Sequence, residues 1–279
     1  MSNLLRGRGW KVGAVVLSGC VLAAGVVASS SSGARTAFKV DHQLCYSAFG
    51  KFLKVPPAGK VRLINQFVPN GFIPKISPTL AEHCNPVQKT VDHPSGPQVF
   101  PVTNPRAHLG CFPITEPVQK TWKVLVGNQF GQSILITGQP NRVCLPTWTS
   151  MTGPPTQTSQ APPGLNHFTC YPVTLAPGAL PYQPPPVMLK DQWGQNPSQV
   201  LPIPNALCLP TKKLVTTAAG VRTYGIIDPV MHLLCFPGVK HQFKPNPYDK
   251  NQFGTAKLTV RISKSLCLPS TKQVLGPAG

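Results

Sequence analysis

HLLCFPG, residues His232 to Gly238, places a histidine three positions ahead of a cysteine that is followed at once by an aromatic. The same spacing stands at His42-Cys45-Tyr46, His108-Cys111-Phe112 and His167-Cys170-Tyr171. Four copies in one chain make this a repeat, and any fold assignment has to begin from it. Each copy leads to a second block of an amide or acid, a glutamine and an aromatic: Asn65-Gln66-Phe67, Asn128-Gln129-Phe130, Asp191-Gln192-Trp193 and Asn251-Gln252-Phe253. Three of the four run on into glycine, at Gly131, Gly194 and Gly254, which reads as a turn. A third block closes each unit with Cys84, Cys144, Cys208 or Cys267, the last three followed by Leu-Pro. The period is about sixty residues and covers nearly all of the chain beyond the N-terminal segment.

Within a unit the residues before the glutamine alternate. Val61, Leu63, Asn65 and Phe67 share one face, as do Val124, Val126, Asn128 and Phe130, and Val187, Leu189, Asp191 and Trp193. A period of two means strand. Ala256, Leu258, Val260 and Ile262 continue the pattern ahead of Cys267. No helical period is sustained beyond the N-terminus, and 34 prolines among 279 residues would interrupt helices almost everywhere. The class is therefore all-β. The expected organisation is a signal peptide over 1–34, then tandem β modules over 35–95, 96–155 with a Pro/Thr-rich linker, 156–218 and 219–279. With three or so strands each, every module has one apolar face to cover, so packing in sandwich-like pairs is expected.

The N-terminus carries Arg6, Arg8 and Lys11, then an apolar run rich in Gly, Ala and Val, then a small polar exit, the pattern of an export signal. Retention as an uncleaved anchor is the alternative, and Leu17-Ser18-Gly19-Cys20 offers a third in which Cys20 is lipidated. Membrane contact is expected only through this segment. All three routes place the chain outside the cytoplasm, secreted or on the cell surface, where cysteines oxidise. The eight others, Cys45, Cys84, Cys111, Cys144, Cys170, Cys208, Cys235 and Cys267, then read as a disulfide framework. Repeat symmetry leaves two schemes. Pairing within units joins Cys45 to Cys84, Cys111 to Cys144, Cys170 to Cys208 and Cys235 to Cys267. Pairing between units joins each closing cysteine to the next opening one and leaves Cys45 to meet Cys267. The first is preferred, because so short a module has too little core to stand without its own staple.

Net charge is +19. A surface this basic attracts polyanions such as cell-wall polymers or acidic glycans. The basic residues are scattered and give no nucleic-acid motif. The repeated histidines raise the question of metal, but His42, Cys45 and Cys84 are too few for a closed site and oxidised sulfurs cannot ligate; a backbone partner for each imidazole is the expected arrangement. Phe67, Phe130, Trp193 and Phe253 are expected as core residues, with the preceding Asn or Asp fixing the turn. The only acids are Asp41, Glu82, Asp92, Glu116, Asp191, Asp228 and Asp249. None recurs at one position, and no nucleophile elbow, metalloprotease helix or phosphate loop is present. No cofactor, metal or catalytic residue is therefore assigned, and the chain is expected not to be an enzyme.

Together, His-Leu-x-Cys-aromatic, Asp/Asn-Gln-Phe-Gly and Leu-Cys-x-Pro with a lysine soon after resemble an uncharacterised repeat of exported bacterial proteins, a domain of unknown function. Cys84 to Lys89 and Leu266 to Lys272 carry the closing block, and the likeness runs from about Asp41 to Lys272. The first unit departs most, with Val68-Pro69-Asn70 before Gly71 and Asn85 in place of Leu. The resemblance implies an exported repeat protein and no particular substrate. The function expected is structural or adhesive at the bacterial cell surface, the alternative a binding module for anionic glycans or other polyanions.

Overall fold

The computed structural model describes residues 40–115, 120–159, 161–239 and 245–278; the expected signal segment and Cys20 lie outside them. All regular structure among the described residues is strand. The first unit forms β1 (Gln43–Lys51), β2 (Val61–Asn65), β3 (Val68–Phe72), β4 (Lys75–Ile76), β5 (Thr79–Pro86) and β6 (Gln88–Val91). The second gives β7 (Gln98–Phe100), β8 (His108–Thr115), β9 (Trp122–Asn128), β10 (Gly131–Thr137) and β11 (Arg142–Ser150). β12 (His167–Leu175), β13 (Val187–Asp191), β14 (Gly194–Ser198) and β15 (Ala206–Thr217) belong to the third. The fourth supplies β16 (Gly220–Tyr224), β17 (His232–Pro237), β18 (Tyr248–Asn251), β19 (Gly254–Lys257) and β20 (Thr259–Pro277).

Eight of these strands close a ring. Each unit contributes its opening strand, which carries the His-x-x-Cys motif, and its closing strand. Antiparallel pairing runs β1–β5, β5–β8, β8–β11, β11–β12, β12–β15, β15–β17, β17–β20 and back from β20 to β1. Where the sequence reading places the modules in two sandwich-like pairs, the strand order instead draws all four around one axis. The reason is the edge: two paired strands leave two open edges, and continuing around until the last strand meets the first removes every edge.

The turn-forming blocks pair outside the ring, and they do so with another unit. β2 of the first unit pairs with the outer part of β15 in the third, and β13 of the third pairs with β6 of the first. β9 of the second pairs with β20 of the fourth, and β18 of the fourth with β11 of the second. Every hairpin is thus held two units away, by the closing strand or, for β13, by the short strand that follows it, and Phe38–Gly279 form one compact unit.

The motif spacing explains both cores. On a strand, the cysteine and the aromatic beside it point to opposite faces. All eight cysteines line the inside of the ring with Leu109, Phe168 and Leu233. The aromatics face outward, each against the hairpin aromatic of the opposite unit: Tyr46 on Trp193 at 4.7 Å, Phe112 on Phe253 at 5.0 Å, Tyr171 on Phe67 at 5.1 Å and Phe236 on Phe130 at 5.4 Å between centroids. These spacings suit edge-to-face pairs. Each Asn or Asp before the glutamine accepts the backbone N–H two residues on, at Phe67, Phe130, Trp193 and Phe253. That side chain fixes the two-residue turn.

The disulfides join Cys45–Cys84, Cys111–Cys144, Cys170–Cys208 and Cys235–Cys267. Register sets this pairing. Within a unit the two cysteines are directly opposite, whereas between units Cys267 faces Gln43 and Cys144 faces Phe168. Bridges of neighbouring units still touch, Cys45 Sγ lying 3.6 Å from Cys267 Sγ.

Candidate functional site

At one end of the ring the opening strands begin with their histidines and the closing strands leave it. The fifth residue after the closing cysteine is a lysine in three units, Lys89, Lys213 and Lys272, and Thr149 in the second. Beside each lysine comes the hairpin glutamine of the next unit. Lys89 donates to Gln129 Oε1, with its Nζ 4.3 Å from the centroid of Phe100 and 4.9 Å from that of Phe130. His42 Nε2 lies 3.3 Å from the same carboxamide oxygen. Lys213 repeats the arrangement: it donates to Gln252 Oε1, rests 4.6 and 4.8 Å from Tyr224 and Phe253, and His167 Nε2 lies 3.1 Å from Gln252 Oε1. Lys272 donates to Gln66 and sits 4.9 Å from Phe67, in a half-buried position.

Two of the lysines are nearly dry, Lys89 being 1% and Lys213 0% exposed. Burial brings both amines down to about 7 and Lys272 to about 8. The histidines are held neutral. Burial first, and then the neighbouring lysine, lowers His42 and His167 to about 3. His232 falls to about 4, again through burial and then Lys272. Its Nδ1 donates to the Val230 carbonyl at 2.9 Å, and its buried Nε2 has no hydrogen-bond partner among the described residues. The expected backbone partner describes His232 and, through Pro105, His108, whereas His42 and His167 meet glutamine side chains.

The second corner, that of Thr149, differs. With Thr149 in the lysine's place, the ring of His83 stacks on Trp193 at 5.2 Å. His83 Nδ1 is 2.8 Å from Asp249 Oδ2, and its Nε2 is 2.8 Å from Asn85 Oδ1. Asn85 Oδ1 also meets His108 Nδ1 and accepts from Gln192 Nε2, each at 3.0 Å. Thr149 donates to Asp249 Oδ1 at 2.8 Å, and Tyr46 and Asn85 donate to Asp191 Oδ2 at 2.7 and 2.9 Å. Burial pulls the His83 imidazolium down, but Asp249, with Asn85 and Asp191 behind it, outweighs that pull and raises it overall. His108 goes the other way, to about 3, by burial and then by the charge of His83. Burial, then Asp191, pushes the Tyr46 phenol up.

Aligned on the motifs, this cluster replaces core residues. His83 stands where the other units have Val143, Leu207 and Leu266, Asn85 where they have Leu145, Leu209 and Leu268, and Asp249 where they have Leu63, Val126 and Leu189. Asn85 and the intruding acids were visible as irregularities. The shared lysine was equally visible as part of the closing block, soon after the cysteine; its meeting with the glutamine of the next unit was not.

The interior of the ring offers little room. The four disulfides and their neighbours leave a cavity of about 10 Å³, the space of a single water at most. Among the described residues no three His, Cys, Asp or Glu side chains converge as metal ligands. Near this cavity Glu82 accepts from Arg142 and, at 2.6 Å, from Lys264. Burial would raise this carboxyl, but the two cations overcome it and hold it below its usual value.

Charge is segregated. Asp41 is 6% exposed and accepts from Thr103 N, Thr103 Oγ1 and Asn104 N at 2.7 to 2.8 Å. Glu82 and Asp249 are buried and paired, and Asp191 accepts four hydrogen bonds. Four of the seven acids are thereby engaged inside the protein, while Lys51, Lys60, Arg62, Lys75, Arg106 and Arg222 are exposed. The exterior is more cationic than the net charge alone conveys.

No protein-family model, curated protein or solved structure matches this chain.

Proposed function

We propose that this chain is an exported, non-catalytic structural or adhesive component of the bacterial cell surface. The observation that supports it best is the ring filled with four disulfides: the interior is spent on covalent endurance and has no hollow for a substrate. Bridges of this kind persist in an oxidising compartment outside the cytoplasm. Fractionation of the native host with thiol labelling tests this reading. Recovery from the surface or medium with no labelled cysteine in the ring is expected; recovery from the cytoplasm with free thiols would overturn it.

A second reading, adhesion to anionic glycans or other wall polyanions, has its own support in the inward-turned acids and the basic exterior they leave. Attraction of this kind is long-ranged at low salt and is screened to about 3 Å at 1 M. Retention on purified wall polymer should therefore disappear at high ionic strength. Retention indifferent to salt, or none at all, would refute it.

A further inference from the structure

We propose that Lys89, Lys213 and Lys272 form intramolecular isopeptide bonds with Gln129, Gln252 and Gln66. In each pair the amine touches the carboxamide it would attack, and the pair recurs at three corners of the ring. The reaction is a transamidation: the Nζ–Cδ bond forms, the Cδ–Nε2 bond of the glutamine breaks, and ammonia leaves. One proton passes from the attacking nitrogen to the departing one. No oxidant, reductant or second substrate is required.

The surroundings supply what the step needs. A nucleophilic amine must be uncharged, and both deeply buried lysines are brought close to neutrality by loss of water. His42 and His167 reach the carboxamide oxygen, so a neutral imidazole there can polarise the carbonyl and relay the proton. At the third corner the unpartnered Nε2 of His232 is a free base near Lys272. Fixing both reactants on paired strands stands in for a very high concentration of each. The glutamines occupy hairpin tips, with Gln66 and Gln129 exposed at the residue level, which gives ammonia a way out.

The product also relieves a cost. Lys89 and Lys213 lie against aromatic faces, a neutral carboxamide and a neutral imidazole, with no carboxylate in contact among the described residues. Cation–π attraction compensates little of the expense of burying an ammonium without a counter-ion. An amide carries no charge. The second corner is the internal control: Thr149 has no amine, and Gln192 turns to Asn85 instead. The three bonds would tie the first unit to the second, the third to the fourth, and the fourth back to the first.

Peptide mapping by mass spectrometry of the reduced and alkylated full-length protein decides the matter. Branched peptides joining Lys89 to Gln129, Lys213 to Gln252 and Lys272 to Gln66 are expected, each lighter by one ammonia than its two linear parts, with Gln192 in a linear peptide. Recovery of all three lysines in linear, trypsin-cleaved peptides would overturn the proposal. In His42→Phe the first bond should be lost or strongly delayed, while the other two, in the same molecule, report that the chain has folded. An unchanged first bond in that variant would overturn the part assigned to the imidazole.

Discussion

The repeated histidines are neutral in the fold, and that makes acid their adversary. Burial first, and then Lys89, His83, Lys213 and Lys272 respectively, lowers His42, His108 and His167 to about 3 and His232 to about 4. Below about pH 6.5 the unfolded chain binds protons at these positions that the native chain refuses, so stability falls with pH by up to about 1.4 kcal/mol per pH unit for each histidine. His83 acts in another window: its folded value is raised, so its contribution is complete below the unfolded value and fades only as pH rises through the folded one. Glu82, held low, contributes above its unfolded value and loses that as pH falls through its depressed folded one. The urea midpoint should accordingly drop steeply between pH 6.5 and pH 4; a midpoint flat over that interval would contradict neutral histidines. A second expectation concerns the irregular corner. Asp249→Leu alone strands a buried imidazolium and should cost about 3–5 kcal/mol. The triple change His83→Leu, Asn85→Leu and Asp249→Leu restores the residue types of the other units and should be neutral or stabilising by about 1–4 kcal/mol in equilibrium unfolding. A triple variant as unstable as the single one would show that this polar cluster holds the corner together.

Among the strands, β8 is closely overlaid at its glycine. Gly110 stands where the other opening strands have Leu44, Thr169 and Leu234, and a Cβ there would lie 2.9 Å from Thr147 Oγ1, 3.1 Å from Leu80 Cδ1 and 3.3 Å from Asn251 Nδ2. Those atoms come from three other strands, including the hairpin of the fourth unit. Gly110→Ala should therefore destabilise by about 1–3 kcal/mol through overpacking, measured by denaturant unfolding, where an exposed glycine-to-alanine change in a strand would stabilise. This crowding illustrates what was legible in the sequence. Alternation identified the blocks around Leu63, Val126 and Leu189 as strands, and the cysteine-to-aromatic step identified two opposite faces. Neither says which strand lies next door, because period two specifies a face and leaves the partner open. The ring and the exchange of hairpins between opposite units depend on that missing information. So does the candidate site: Lys89 and Gln129 belong to different units, and only tertiary pairing brings them together.

The molecule as a whole is interwoven, which bears on whether a unit can exist by itself. Residues 35–95 expressed alone would present β2 without β15 and β6 without β13, and would leave both edges of the β1–β5 pair uncovered. With Cys45–Cys84 formed, such a fragment should still give poorly dispersed amide resonances; a folded spectrum from it would show that the units are autonomous. β1 and β20 are antiparallel neighbours, with Gln43 level with Cys267, so the chain enters and leaves the ring at the same end. A tug on the two ends would peel these strands like a zipper, breaking hydrogen bonds one at a time. It would reach Cys45 and Cys267 almost at once, and there the load passes into sulfur. The spans of 39, 33, 38 and 32 residues behind the four bridges would then be withheld from stretching, giving a tether whose length under tension is set by covalent bonds.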